Sequence, residues 1–339
     1  MTGSSTLGVL GSGSFGTALA AHWAEAGHRV LLWSRRQDLA DQLARERENV
    51  EYLPGIELPD AVTPTADLED LAPASVLVVA VPSHGFRQVL REYLQKVGNG
   101  PQTVVSATKG IEPETLTRMS QVTFEEGMAA DRDLHFAVLS GPSFAVELAR
   151  GAATAAVIAS EEQDLAETLR ERLSSSTLRL YSSSDVVGVE LGGTAKNVIA
   201  IAAGTVAGLE LGHNTLAALI TRGLHEITRL GIAYGGQTRT FAGLAGLGDL
   251  VLTCTGGLSR NRSIGVALAE GKTLQEIEAE THMVAEGVKN SVAVSRLARQ
   301  RGVDMPIVEQ MVQILYEDKL PARALQDLMT RELKPEAEL

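Results

Sequence analysis

Leu7-Gly8-Val9-Leu10-Gly11-Ser12-Gly13-Ser14-Phe15-Gly16 carries a short apolar run straight into three glycines spaced G-x-G-x-x-G. That spacing suits a turn between a strand and a helix that cradles a dinucleotide. Gly11 permits the tight turn, Gly13 lets backbone approach a pyrophosphate, and Gly16 lets the next helix pack closely on the strand, its N-terminal N–H groups facing the phosphates. The motif alone is weak, and its surroundings decide. A helix is predicted from Thr17 to Ala26, closed by Gly27 at C′, and a second strand from Arg29 to Trp33 completes a βαβ unit of ordinary length. The competing reading is a plain glycine-rich connection.

The end of the second strand bears on which nucleotide is bound. An Asp or Glu there, about twenty residues past the turn, binds the ribose 2′-hydroxyl of NAD. This chain has Ser34-Arg35-Arg36 instead. Two guanidiniums suit a 2′-phosphate, so NADP(H) is favoured over NAD(H). The plainer reading is a pair of solvated arginines at the start of the next helix.

With 339 residues, 44% of them apolar, the chain suits two domains. A formal net charge of −12 and a pI near 5.1 argue against a surface for nucleic acid or anionic membrane. The apolar stretches around Val76 to Val81 and Val198 to Val206 are short of a membrane span, and no charged segment precedes an apolar one at the N-terminus; a cytoplasmic protein is expected. The single cysteine, Cys254, excludes an internal disulfide and reads as a small buried hydrophobe, without local support for a nucleophile. The histidines show no metal spacing, and no metal is expected.

Strand-like runs alternate with helical ones through the first half: Leu7 to Leu10, Arg29 to Trp33, Val76 to Val81, Thr103 to Ala107, His135 to Leu139, Ala153 to Ala159 and Leu178 to Tyr181. Several are unbroken Val/Leu/Ala runs, as in a sheet with both faces covered. Residues 1–184 therefore read as a doubly wound, Rossmann-type α/β domain. After Ser182-Ser183-Ser184-Asp185 the pattern turns helical, and 185–339 reads as an all-α domain carrying the chemistry. In open α/β sheets ligands gather beyond the carboxyl ends of the strands. There the chain places Val81-Pro82-Ser83-His84, Thr108-Lys109-Gly110 and Ser140-Gly141-Pro142-Ser143-Phe144-Ala145, which ordinary turn chemistry also explains.

Val186 to Leu209 reads as one long apolar helix with Lys196 and Asn197 in its middle. The neighbours of Lys196 one turn away are Gly192, Gly193, Ile199 and Ala200, so no carboxylate on its own helix pairs with it. The glycines, each costing about 1 kcal/mol in helix propensity, leave room for close approach. Lys196 is either a lysine that snorkels to water or a general acid/base, its amine made less basic by burial and a second cation such as Lys109. Asp249, in Gly246-Leu247-Gly248-Asp249, either caps the following helix or orients Lys196. Ser259-Arg260-Asn261-Arg262 opens another helix, where Ser259 is a good N-cap and the free N–H groups with a guanidinium suit a phosphate; an exposed surface pair is the alternative.

The chain resembles the bacterial-type glycerol-3-phosphate dehydrogenases, which interconvert dihydroxyacetone phosphate and sn-glycerol 3-phosphate with NAD(P)H. The resemblance rests on Gly11 to Leu19, Ala107-Thr108-Lys109-Gly110, Ser140 to Ala145, Leu191 to Ile199, Ala245 to Asp249 and Ser259-Arg260-Asn261, in order and covering nearly the whole chain. It implies Lys196 as the catalytic acid/base and a substrate pocket that includes Lys109, Gly141, Ser143, Asn197 and Asp249. Ser259, Arg260 and Asn261 would hold the phosphate. Cofactor contacts would come from Gly11, Gly13, Ser14, Phe15, Gly16, Arg35, Arg36, Lys109, Ala145, Arg260, Val284 and Glu286. Ser143 stands where Thr is common. The product would feed phospholipid synthesis, and a homodimer is compatible. A hydroxy-acid or sugar-acid dehydrogenase of the same architecture and a non-catalytic NAD(P)-sensing module are the competing functions.

Overall fold

The computed structural model describes residues 5–280, 285–333, 335 and 336; Val284 lies outside them. The chain forms two compact units, Met1–Glu112 with Thr117–Val186, and Pro113–Leu116 with Val187–Leu339.

The first unit is built on an eight-stranded sheet: β1 (Thr6–Leu10), β2 (Arg29–Trp33), β3 (Val62–Thr65), β4 (Val76–Val79), β5 (Thr103–Ser106), β6 (His135–Ser140), β7 (Thr154–Ala159) and β8 (Leu178–Ser183). Their order across the sheet is β3-β2-β1-β4-β5-β6-β7-β8. All neighbours run parallel except β6 and β7, which are antiparallel. From β1 the chain steps outward to β2 and β3 on one side, then returns to place β4 on the other side of β1, so the glycine turn after Leu10 sits at the topological switch point. Flanking helices bury the sheet: Leu7, Val9, Leu10 and all of Val76–Val79 are at most 1% exposed.

Three strands of this unit escape a reading of the sequence. β3 contains Pro64, which lacks an N–H to donate and so suits the edge position that it occupies beside β2. A small antiparallel pair, Glu48–Asn49 with Leu53–Glu57, forms a separate two-stranded ribbon. The runs expected to extend to Val81 and Ala107 end at Val79 and Ser106, where the chain leaves the sheet.

Among its described residues the second unit has no strand. Its long helix is Val186–Gly208, 23 residues with a mean hydropathy of 1.3, long and apolar enough to cross a membrane, which corrects the expectation that no stretch approaches a span. Its apolar window is 94% buried inside the protein, so the hydropathy is that of a core helix. Backbone meets backbone where this helix crosses Arg260–Ala269. A Cβ on Gly265 would stand 1.9 Å from the Ile201 carbonyl oxygen, and one on Gly204 2.0 Å from that of Arg262.

Helix Gly212–Ala233 presents Glu226 to the start of helix Pro306–Tyr316, where it accepts hydrogen bonds from the Ile307 N–H at 2.8 Å and the Val308 N–H at 3.3 Å. Burial outweighs those donors and Arg229, and raises its carboxyl to about 8. An unfolded chain releases that proton near pH 4.3. The native state therefore retains a proton that the unfolded state has lost, and the contribution to stability, full below the unfolded value, disappears as pH rises through about 8. Thermal scans from pH 6 to 9 should show a fall in Tm that Glu226→Gln reduces; parallel curves for the two proteins would remove this assignment.

Candidate active site

The helix after the glycine turn is Ser14–Glu25, with Gly13 at its N-cap and no side chain capping it. Gly11 has φ +116°, which only glycine adopts readily, and a Cβ there would meet the Ala80 oxygen at 2.8 Å. At Gly13 a Cβ would meet nothing within 4 Å, so the backbone is open on the side where a pyrophosphate would lie. Gly16 is the reverse case, its Cβ falling 1.9 Å from the Gly11 oxygen. An uncapped helix N-terminus beside an open glycine is a cradle that fits a dinucleotide phosphate.

Other candidates gather in the same unit. Lys109, just past β5, donates from Nζ to the Gly141 oxygen at 2.9 Å and stands 5.9 Å from the centre of the Phe15 ring. The Ser143 hydroxyl donates to the same oxygen at 3.0 Å. Gly141 has φ +148°, and a Cβ there would meet the Ala156 Cα at 2.9 Å. Ala145 begins the short helix Ala145–Ala149 and packs on the core. Past β2, Ser34 is buried and its hydroxyl accepts from the Arg36 N–H at 3.3 Å, while Arg35 and Arg36 are exposed. Arg36 pairs with Glu51, which raises its guanidinium above the ordinary arginine value.

In the helical unit Lys196 meets Asp249, a carboxylate from another helix. Lys196 Nζ donates to Asp249 Oδ1 at 2.7 Å, with the two side chains 7% and 1% exposed. The local sequence explains the encounter. A Cβ on Gly192 would lie 2.9 Å from the Ala245 oxygen, so the glycine admits the turn Leu244–Gly248 against the helix. This wide turn closes with Gly248 N–H donating to the Gly243 oxygen at 3.1 Å. Four residues beyond each contact point stand Lys196 and Asp249. Asp249 is also the first residue of helix Asp249–Thr255.

Thr253, which a reading of the sequence passes over, completes the cluster. Its hydroxyl receives Lys196 Nζ at 2.7 Å and donates to the Asp249 carbonyl oxygen at 2.6 Å. The only signal was its place one turn after Asp249, and threonines at that spacing commonly bond back to their own helix. Cys254 is buried beside them, and that burial pushes its thiol up to about 12, far from a thiolate at neutral pH.

Ser259 caps helix Arg260–Ala269 by accepting from the Arg262 N–H at 3.2 Å. Asn261 Nδ2 donates to Asn197 Oδ1 at 3.0 Å, and Asn261 Oδ1 accepts from the Gly287 N–H at 3.0 Å. These buried amides tie together the helices that carry Lys196, Arg260 and Glu286. Arg260 is open to solvent, yet desolvation by the surrounding protein lowers its guanidinium below the ordinary value, with Glu286 acting against that shift. Among the described residues no three His, Cys, Asp or Glu side chains are grouped to hold a metal ion.

A largely parallel sheet with a dinucleotide cradle at its switch point, in a chain whose helical unit buries a lysine against a carboxylate and a hydroxyl, is the architecture of the nucleotide-dependent dehydrogenases. Residues 6–166 match the family model for the NAD-dependent glycerol-3-phosphate dehydrogenase N-terminus, and residues 185–326 that for its C-terminus. The chain belongs to the glycerol-3-phosphate dehydrogenase family. It is 48% identical over 331 residues to glycerol-3-phosphate dehydrogenase [NAD(P)+] of Geobacter sp. (strain M21), covering 97% of this chain and 98% of the relative. It is 49% identical over 333 residues to the enzyme of the same name from Nitratidesulfovibrio vulgaris, covering 97% and 99%. The crystal structure of glycerol-3-phosphate dehydrogenase from Coxiella burnetii superposes with a TM-score of 0.91 at 38% identity, over 97% of this chain and 99% of that one. The chain is accordingly an oxidoreductase with an NAD(P)-binding Rossmann fold.

Proposed function

We propose that the chain reduces dihydroxyacetone phosphate to sn-glycerol 3-phosphate, with Lys196 supplying the proton to the C2 carbonyl oxygen as it becomes an alkoxide. The observation that carries this reading is the buried Lys196–Asp249–Thr253 cluster: a carboxylate at 2.7 Å stabilises the ammonium by direct attraction and, with the Thr253 hydroxyl, fixes the position of Nζ. When bound, the reduced nicotinamide supplies the hydride. Gly11, Gly13, Ser14, Phe15 and Gly16 would hold the dinucleotide phosphates, Arg35 and Arg36 the adenosine ribose end, and Lys109, Ala145, Arg260 and Glu286 further parts of the cofactor. The substrate contacts proposed are Lys109, Gly141 and Ser143 in the first unit and Asp249 and Asn197 in the helical unit, Asn197 by holding Asn261 in place. Arg260, the Ser259 cap and the first turn at Asn261 would bind the substrate phosphate, a remote anchor that holds the carbonyl for reaction.

The deciding experiment is steady-state turnover of dihydroxyacetone phosphate with NADPH and with NADH, beside 2- and 3-keto acids. Turnover of a keto acid in place of the phosphate ester would establish the hydroxy-acid alternative, and no oxidation of either nucleotide the non-catalytic one. Arg260→Ala should raise the KM for dihydroxyacetone phosphate about 10-fold or more with a smaller change in kcat, as expected for loss of a charge-assisted contact to a non-reacting group. An unchanged KM would move the phosphate site elsewhere. The proposed setting is cytoplasmic supply of glycerol 3-phosphate for phospholipid synthesis. A homodimer is proposed with it, to be checked by light scattering.

A further inference from the structure

The end of β2 lacks the acidic residue by which NAD-binding turns hold the ribose 2′-hydroxyl, but an acid reaches the same place from another element. Glu51 lies in the turn of the ribbon Glu48–Asn49 and Leu53–Glu57 and pairs with Arg36. The ribbon is fastened to the glycine turn itself. Asn49, fully buried, donates from Nδ2 to the Ser12 oxygen and to the Thr17 hydroxyl, each at 2.8 Å, and its Oδ1 accepts from the Tyr52 N–H at 3.1 Å. Glu51 stands between these two anchored residues, so its carboxylate is held against Arg36 by a turn tied to the phosphate cradle. The side chains of Arg36 and Glu51 are 44% and 33% exposed, within reach of a ligand from solvent.

We propose that Glu51 is a determinant of cofactor choice, an inference that rests on assigning Arg36 to the adenosine ribose end. A 2′-phosphate competes with Glu51 for the guanidinium and is repelled by its carboxylate. A 2′-hydroxyl carries no charge to compete, and it finds in Glu51 the acceptor that the end of β2 does not provide. Glu51 thereby tempers the preference for NADP(H) that Arg35 and Arg36 alone would impose, and lets one site take either nucleotide.

Dissociation constants of NADPH and NADH, read by nucleotide fluorescence, test this in wild type, Glu51→Gln, Arg36→Ala and the double variant. Glu51→Gln should tighten NADPH binding about 3- to 10-fold, the range for a partly exposed ion pair that meets a doubly charged competitor, and leave NADH binding equal or weaker. The gain should vanish in the Arg36→Ala background, because it acts through that guanidinium and not through overall charge. Weaker NADPH binding in Arg36→Ala with an NADPH-to-NADH ratio unmoved by Glu51→Gln would overturn the role of Glu51 and leave the ribose assignment standing. NADPH binding unchanged in Arg36→Ala would overturn both. A gain that persists without Arg36 would assign the effect to net charge and reject the proposed competition.

Discussion

Lys196→Ala is expected to lower kcat about 10²-fold or more while NADPH still binds, because proton donation is lost and the residues of the dinucleotide cradle are untouched. The substitution also leaves Asp249, 1% exposed, buried without its cation. Removing one partner of such a pair destabilises a protein by about 3–5 kcal/mol, so the Tm of the single variant should fall as well. Lys196→Ala/Asp249→Asn separates the effects: neutralising the stranded carboxylate should recover much of the Tm and none of the rate. Small primary amines added to the single variant should restore part of kcat. A single variant that turns over at the wild-type rate would end the assignment of Lys196 as proton donor.

Gly265→Val should be the most damaging single change away from the reacting groups. The added Cβ would stand 1.9 Å from the Ile201 oxygen, 2.7 Å from the Gly204 Cα and 2.8 Å from the Thr205 nitrogen, all of them backbone that cannot rotate aside. Helices Val186–Gly208 and Arg260–Ala269 must then separate, at about 3 kcal/mol or more. They carry Lys196 and Arg260, so the loss of Tm should come with a higher KM for dihydroxyacetone phosphate. Gly85, inside helix Ser83–Lys96, provides the contrast: a Cβ there meets nothing within 4 Å, and Gly85→Ala should hold or slightly raise the Tm by favouring the helix. Equal Tm values for Gly265→Val and wild type would show that the helices slide apart without penalty.

What could be read from residues alone divides by range. Gly11 to Gly16 announced a turn because each glycine answers to a neighbour within a few positions, and Val76–Val79 announced a buried strand through an unbroken apolar run. Lys196 was conspicuous through what its own helix does not offer. That Asp249 is its partner depends on Gly192 admitting the turn at Ala245, a contact between segments 53 residues apart, and no local pattern encodes it. Thr253 was hidden by being ordinary in a helix, β3 by Pro64, and Glu51 by lying in a ribbon too short to leave a periodic trace.

Residues 113–116 lie outside the unit that surrounds them in sequence. They leave after Glu112 and return at Thr117, where Glu112 N–H bonds the Thr117 oxygen at 2.9 Å, and Arg296 donates to the Pro113 oxygen at 3.0 Å. The backbone therefore passes between the units three times, and neither unit is a contiguous fragment of the gene. During synthesis these four residues emerge well before Arg296, so that contact must wait for the rest of the chain. An expression clone starting at residue 187 would leave them out, and the surest way to obtain the helical unit alone would be to splice them back through a linker.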